Sequence, residues 1–105
     1  MDSLSDPILA RFRAALDTTY GDNVERVVLF GSRARGDARP DSDYDIAVFI
    51  REPDSFWQES GRLAEIGTDI LYETGAVINA LPLKAGRDRE RSAFMQELTR
   101  DGRDL

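Results

Sequence analysis

The chain has no cysteine and no histidine among its 105 residues. The first absence removes disulfides and thiol chemistry. The second removes zinc–histidine sites, histidine general bases and serine–histidine triads together. There is no long apolar run and no charged-then-apolar leader, so neither membrane insertion nor secretion is expected and a cytoplasmic location is the default. Positive charge is in the minority: the formal net charge is −6, with 32% of residues charged and 41% hydrophobic. An acidic chain repels nucleic acid at long range, so direct binding of RNA or DNA is not expected. A bound divalent cation would reverse some of that charge locally. A chain this short builds one modest core, so a single domain over residues 1–105 is expected. No repeat, low-complexity stretch or internal linker divides it.

What is present reads as α-β-β-α-β-α, an α/β (α+β) arrangement with a small mixed sheet of about three strands flanked by helices. Asp6-Pro7 is an N-cap followed by proline at the first helical position, and Ile8, Leu9, Phe12, Ala15 and Leu16 recur at helical spacing until Gly21. Val27–Phe30 is apolar throughout, as in a strand buried on both faces. Asp43–Ile50 forms the next strand, after a loop holding Gly36-Asp37 and Pro40-Asp41. Pro53-Asp54-Ser55 opens a helix from about Phe56 to Glu73, striped by Leu63, Ile66, Ile70 and Leu71, weakened at Gly67 and stopped at Gly75. Ala76–Leu83 is the third strand, and Arg89–Arg100 the last helix, ended by Gly102.

The chemistry concentrates where the first strand ends and the second begins. Gly31-Ser32 closes Val27–Phe30, and glycine lets the backbone turn sharply and meet a ligand without a Cβ in the way. Backbone amides of such a turn, with the Ser32 hydroxyl, can cradle phosphate oxygens. Ten residues later, Asp43 and Asp45 stand at alternate positions, so in a strand their side chains share one face while Ile46 and Val48 turn to the core. Adjacent carboxylates repel each other unless a cation lies between them. Magnesium is a hard, oxygen-seeking ion held by one or two carboxylates and substrate phosphates, so the pair reads as a metal site.

The composite Gly31-Ser32-x10-Asp43-x-Asp45, with Arg33, Gly36 and Ser42 between, closely resembles the minimal nucleotidyltransferases of the DNA polymerase β superfamily. The resemblance covers most of the chain, including the ending Phe94-x-x-x-Leu98-x-x-x-Gly102-x-x-Leu105. It implies a polymerase β-like fold, ATP as nucleotide substrate gripped by Gly31 and Ser32, and one or two Mg²⁺ held by the catalytic pair Asp43 and Asp45. Arg33 and Ser42 are further nucleotide-binding candidates. A guanidinium at Arg33, and to a lesser extent at Arg35, either steadies the triphosphate or lies solvated in the loop. Ser42 alternatively only shapes the turn into the strand.

The superfamily's larger polymerases carry a third carboxylate on a later strand. Here the third strand has no acid, and Asn79 is its only polar side chain: a weaker, neutral ligand that cannot act as a base. Asp69 and Glu73 lie upstream in the helix and read as solvated. Tyr44 points away from the aspartates and belongs to the core. Phe56 and Trp57 read as packing or partner-facing residues, and Lys84, Arg87, Arg89 and Arg91, interleaved with Asp88 and Glu90, as a salt-bridged helix start. The resemblance further implies the antitoxin of a two-protein system, adenylylating a tyrosine hydroxyl of a HEPN ribonuclease toxin. The small size fits an acceptor surface supplied by that partner, in a homodimer or hetero-oligomer. The alternatives are a nucleotide-binding module that neutralises its partner by contact, and a small-molecule nucleotidyltransferase of the aminoglycoside-modifying kind.

Overall fold

The computed structural model describes residues 5–105, so the first four positions of the expected domain lie outside the described residues. Helix α1 spans Pro7–Tyr20, and Asp6 caps it by accepting from the Ile8 amide at 2.8 Å. A short 3-10 turn, Gly21–Asn23, leads into β1, Val24–Phe30. A single helical turn, α2 (Ser32–Arg35), follows, and then β2, Tyr44–Ile50. Helix α3, Phe56–Thr74, opens with a capping box in which Ser55 and Gln58 satisfy each other's backbone amides. It ends at Gly75, whose left-handed conformation (φ 79) closes the helix onto Leu71. Strand β3 (Ile78–Lys84), a second 3-10 turn (Arg87–Arg89), α4 (Ala93–Asp101) and β4 (Arg103–Asp104) complete the chain.

The sheet has four strands in the order β3-β2-β1-β4, with β2 and β3 parallel and the other pairs antiparallel. Alternation along the strands feeds two cores. Val27, Leu29, Ile46 and Val48 pack against α1 and α3, joined by Phe12, Leu16, Leu63 and Ile70. Val28, Ala47, Phe49 and Leu83 face the opposite way, onto Met95 and Leu98 of α4. The first strands are therefore buried on both faces, as their unbroken apolar runs imply. Each fully buried large side chain, such as Phe12 or Phe49, contributes about 1.5–3 kcal/mol. Gly67, the apparent weak point of α3, lies against β3, where a Cβ would stand 3.5 Å from the Ile78 carbonyl oxygen.

Several boundaries differ from the sequence expectation, among them β3, which runs Ile78–Lys84 instead of Ala76–Leu83. Strand β1 begins at Val24, three positions earlier, across a register shift between Val24 and Arg26 that lets Glu25 face solvent. The last helix starts at Ala93 instead of Arg89, because Ser92 caps it on the Met95 amide and Arg87–Arg89 is a separate turn, with Arg87 paired to Glu90 at 3.1 Å. A fourth strand appears at Arg103–Asp104, where Gly102 packs so closely that a Cβ would meet Val28 Cγ1 at 2.6 Å.

Strand β3 forms one edge of the sheet. The Tyr44 amide donates to the Val77 carbonyl at 2.9 Å and the Ala85 amide to the Ile50 carbonyl at 2.8 Å, so odd-numbered backbone groups of β3 face β2. Those of Ile78, Ala80, Pro82 and Lys84 face outward.

Candidate active site

The pairing of Phe30 with Asp45 brings the glycine turn and the carboxylates to one place. Gly31 leaves β1 at φ 73, ψ −156, a backbone region essentially reserved for glycine. A Cβ at this position would stand 2.6 Å from Asp45 Oδ2. The bare backbone therefore lies directly against the carboxylate. Ser32 then begins α2, whose first amides have no acceptor within the helix, and the Gly31 carbonyl accepts from the Ala34 and Arg35 amides at 3.1 Å.

Asp43 immediately precedes β2 and Asp45 is its second residue. The two lie on the α4 side of the sheet, opposite Tyr44 and Ile46, as strand alternation requires. Across the parallel pairing, Asn79 sits opposite Asp45. Its amide nitrogen donates to Asp43 Oδ2 at 3.0 Å and to Asp45 Oδ1 at 3.4 Å. Both carboxylates thus converge on one donor. The carboxylate oxygens of the pair fit a hard divalent cation such as Mg²⁺, which Asp43 and Asp45 would hold. Among the described residues, no third His, Cys, Asp or Glu joins them. A groove of about 390 Å³ adjoins the pair, lined by Phe30, Asp45, Ser60, Ala64, Asn79 and Leu81 among others.

Arg33 and Ser42 gather elsewhere. The Arg33 guanidinium lies 3.9 Å above the Tyr44 ring and donates to the Ser42 carbonyl at 2.7 and 3.0 Å and to the Pro40 carbonyl at 3.2 Å. The Ser42 hydroxyl accepts from the Arg39 amide at 2.9 Å. Together they brace the loop that connects the glycine turn to the aspartates. Tyr44 is 5% exposed, and its hydroxyl donates to Asp6 Oδ2 at 2.7 Å, tying the strand to the cap of α1. Burial first, and the Asp6 bond second, push the Tyr44 hydroxyl up to about 12, so it keeps its proton at neutral pH.

Asp69 and Glu73, the other acids considered, have partners and surroundings apart from the pair. Glu73 is ion-paired with Arg11 of α1, whose guanidinium holds the carboxyl below its ordinary value. Asp69 lines a groove between α1 and α3 with Thr18 and Arg62. Arg35 joins Asp37 at 3.4 Å and Glu97 of α4 at 3.5 Å. Phe56 and Trp57 are exposed, at 55% and 82%, and meet edge to face. Glu59 escaped the sequence reading: it is 1% exposed, yet it accepts from the Tyr20 hydroxyl (2.9 Å), the Asp54 amide (2.8 Å) and Arg62 (2.9 Å). Burial, reinforced by Glu59, raises the Tyr20 hydroxyl well above the ordinary tyrosine range. Nothing in the local sequence around Glu59 distinguishes it from a solvated helical glutamate.

Comparison with known proteins bears on this geometry. Two proteins of Methanocaldococcus jannaschii, each named as a candidate protein adenylyltransferase, are similar to the chain. MJ0141 is 40% identical over 45 residues, which is 43% of this chain and 46% of that relative. MJ0604 is 33% identical over 73 residues, 70% of this chain and 67% of that relative. The first match thus spans less than half of the relative's own length. Among solved structures, one described as a candidate minimal nucleotidyltransferase superposes with a TM-score of 0.61 at 25% identity, covering 95% of this chain and 94% of its own. A chain in the complex of the tri-AMPylated Shewanella oneidensis HEPN toxin with MNT antitoxin superposes at 0.53 and 15% identity, covering 92% of this chain and 70% of its own. The four-stranded mixed sheet with its flanking helices is accordingly the minimal nucleotidyltransferase fold. The family model for the nucleotidyltransferase domain matches residues 9–100, and the chain belongs to that family of nucleotide-transferring enzymes.

Proposed function

We propose that this chain transfers AMP from ATP to a hydroxyl of a partner protein, a HEPN-type ribonuclease toxin, and so acts as its antitoxin. The observation that carries this reading is the contact between Gly31 and Asp45: a Cβ would fall 2.6 Å from the carboxylate, so a phosphate turn and an acidic pair share one spot. The names of the M. jannaschii relatives and the AMPylated toxin in the Shewanella complex support the choice of AMP and of a protein acceptor.

In this reading the β and γ phosphates lie against the Gly31-Ser32 turn, where the absent Cβ allows close approach and backbone amides donate to phosphate oxygens. Asp43 and Asp45 hold Mg²⁺, which when bound neutralises phosphate charge and assists departure of pyrophosphate. The groove beside Asp45 and Asn79 receives the acceptor hydroxyl in line with the leaving oxygen. The acceptor oxygen bonds to the α-phosphorus, the bond to pyrophosphate breaks, and the hydroxyl proton leaves to water or to a base of the partner. Catalysis is then mainly positioning and electrostatics. Arg33 and Ser42 serve by fixing the loop that carries the aspartates to the turn.

A second reading is supported by Asn79, a neutral amide that meets both aspartates where no third acid joins them among the described residues: a chain that binds nucleotide and silences its partner by contact alone. Intact mass of the co-expressed partner separates the two. Added nucleoside monophosphate mass with wild type, absent with Asp43→Ala/Asp45→Ala, supports transfer. A partner silenced equally by both, with no added mass, leaves contact.

A further inference from the structure

Asn79 occupies the β3 position opposite Asp45. Its amide nitrogen reaches both carboxylates, at 3.0 and 3.4 Å. This orientation follows from the chemistry of the neighbours, since an amide oxygen turned the same way would face two acceptor groups with no proton between them. Donor bonds to ionised carboxylates are the stronger kind, and turning the amide to offer its oxygen to a metal would break both.

Charge points the same way. The aspartate pair carries two negative charges, matching one divalent cation, and no third acid joins it among the described residues. Two-cation sites place their ions about 3.5–4 Å apart, and with the nucleotide phosphates shared between them a second ion needs protein carboxylate beyond the pair. A neutral amide supplies none. The parallel pairing fixes this arrangement: Asn79 faces Asp45, while its neighbours Ile78 and Ala80 pack into the opposite core.

We propose that Asn79 is a positioning residue that makes this a one-cation site. It holds Asp43 and Asp45 together before the cation arrives, and it denies a second cation the charge it would need on the β3 side. This rests on the reading of Asp43 and Asp45 as metal ligands.

The test is electron paramagnetic resonance of Mn²⁺ added to the chain with a non-hydrolysable ATP analogue. Wild type is expected to give a single, uncoupled Mn²⁺ per chain. Asn79→Asp is expected to give a spin-coupled Mn²⁺ pair and roughly tenfold tighter binding, because ligand charge count tunes affinity at such sites. Asn79→Leu, similar in size but without a donor, should keep a single ion bound more weakly than in wild type. A coupled pair in wild type overturns the proposal with no variant needed, and so does Asn79→Asp holding one ion like wild type. Asp45→Asn separates the underlying reading. If it leaves the wild-type spectrum and affinity unchanged, the aspartates are not the ligands and both readings fall.

Discussion

Gly31→Ala probes the fold and the site through one methyl group. Gly31 holds φ 73 and ψ −156, where a residue with a Cβ is strained by about 1–3 kcal/mol. The new Cβ would also stand 2.6 Å from Asp45 Oδ2, inside the 3.0 Å that real Cβ atoms respect. Backbone and carboxylate must part by about 0.4 Å, the difference of those two distances, and Asp45 is the piece free to move. Gly36→Ala is the control. Its φ of 84 is also positive but lies in the milder left-handed region, at about 1–2 kcal/mol, and nothing lies within 4 Å of the added Cβ. A domain of this size has about 5–15 kcal/mol in hand, so both variants fold. Urea unfolding across a Mg²⁺ series then reads strain and site separately. With Mg²⁺ at a hundred times Kd, a ligand of the folded state adds about 2.7 kcal/mol, and a site weakened tenfold recovers only about 1.4 kcal/mol. Wild type and Gly36→Ala should gain equally from Mg²⁺, while Gly31→Ala gains half as much or less. Equal gains for the two glycine variants would refute the argument that the bare backbone at Gly31 keeps Asp45 in place.

Other expectations follow from single contacts. Tyr44 keeps its proton to about pH 12 when folded but loses it near 10 when unfolded, so its contribution is full below pH 10 and fades as pH rises through 12. That loss is about 2–3 kcal/mol, and urea titrations at pH 9 and 11.5 should show it as a gap between wild type and Tyr44→Phe that closes at high pH; a pH-independent gap counts against the buried hydroxyl. Glu59→Leu strands the Tyr20 hydroxyl and the Asp54 amide and should cost about 2–4 kcal/mol in urea unfolding, with Mg²⁺ response retained; a loss under 0.5 kcal/mol contradicts the buried network. Arg33→Lys cannot reproduce the fork on the Ser42 and Pro40 carbonyls or the stacking on Tyr44, so limited proteolysis should cut the 36–42 loop several-fold faster. Unchanged cleavage would mean the guanidinium does not brace that loop.

Much of this molecule can be read from residues that act locally. Asp6-Pro7 and Gly21 bound α1, and Ser55 and Gly75 bound α3, because caps work through neighbouring backbone. The shared face of Asp43 and Asp45 needs only strand alternation. What escaped needs contacts between distant parts of the chain. Two residues, Arg103–Asp104, have no periodicity to reveal a strand, which exists only because Gly102 can settle on Val28. Arg33 reads as either a phosphate ligand or a solvated loop residue, and its stacking on the Tyr44 ring shows only in the folded chain. Asn79 is visible as the one polar side chain of its strand, but only the parallel register with β2 turns it into the neighbour of both aspartates. Glu59 resembles any helical glutamate until Tyr20 and Asp54 close over it.

The outward side of β3 bears on how the protein behaves at high concentration. An open sheet margin is a template on which further chains can zip. Here the outward row is Ile78, Ala80, Pro82 and Lys84, and the proline sits where the third donor of a growing ladder would be. At the far margin, β4 offers two residues, too short a run to seed another strand. The sheet is terminated chemically on one side and by brevity on the other. Replacing Pro82 with valine would restore a continuous donor row, so β-rich aggregates detectable by thioflavin fluorescence should appear at concentrations where the wild type stays clear.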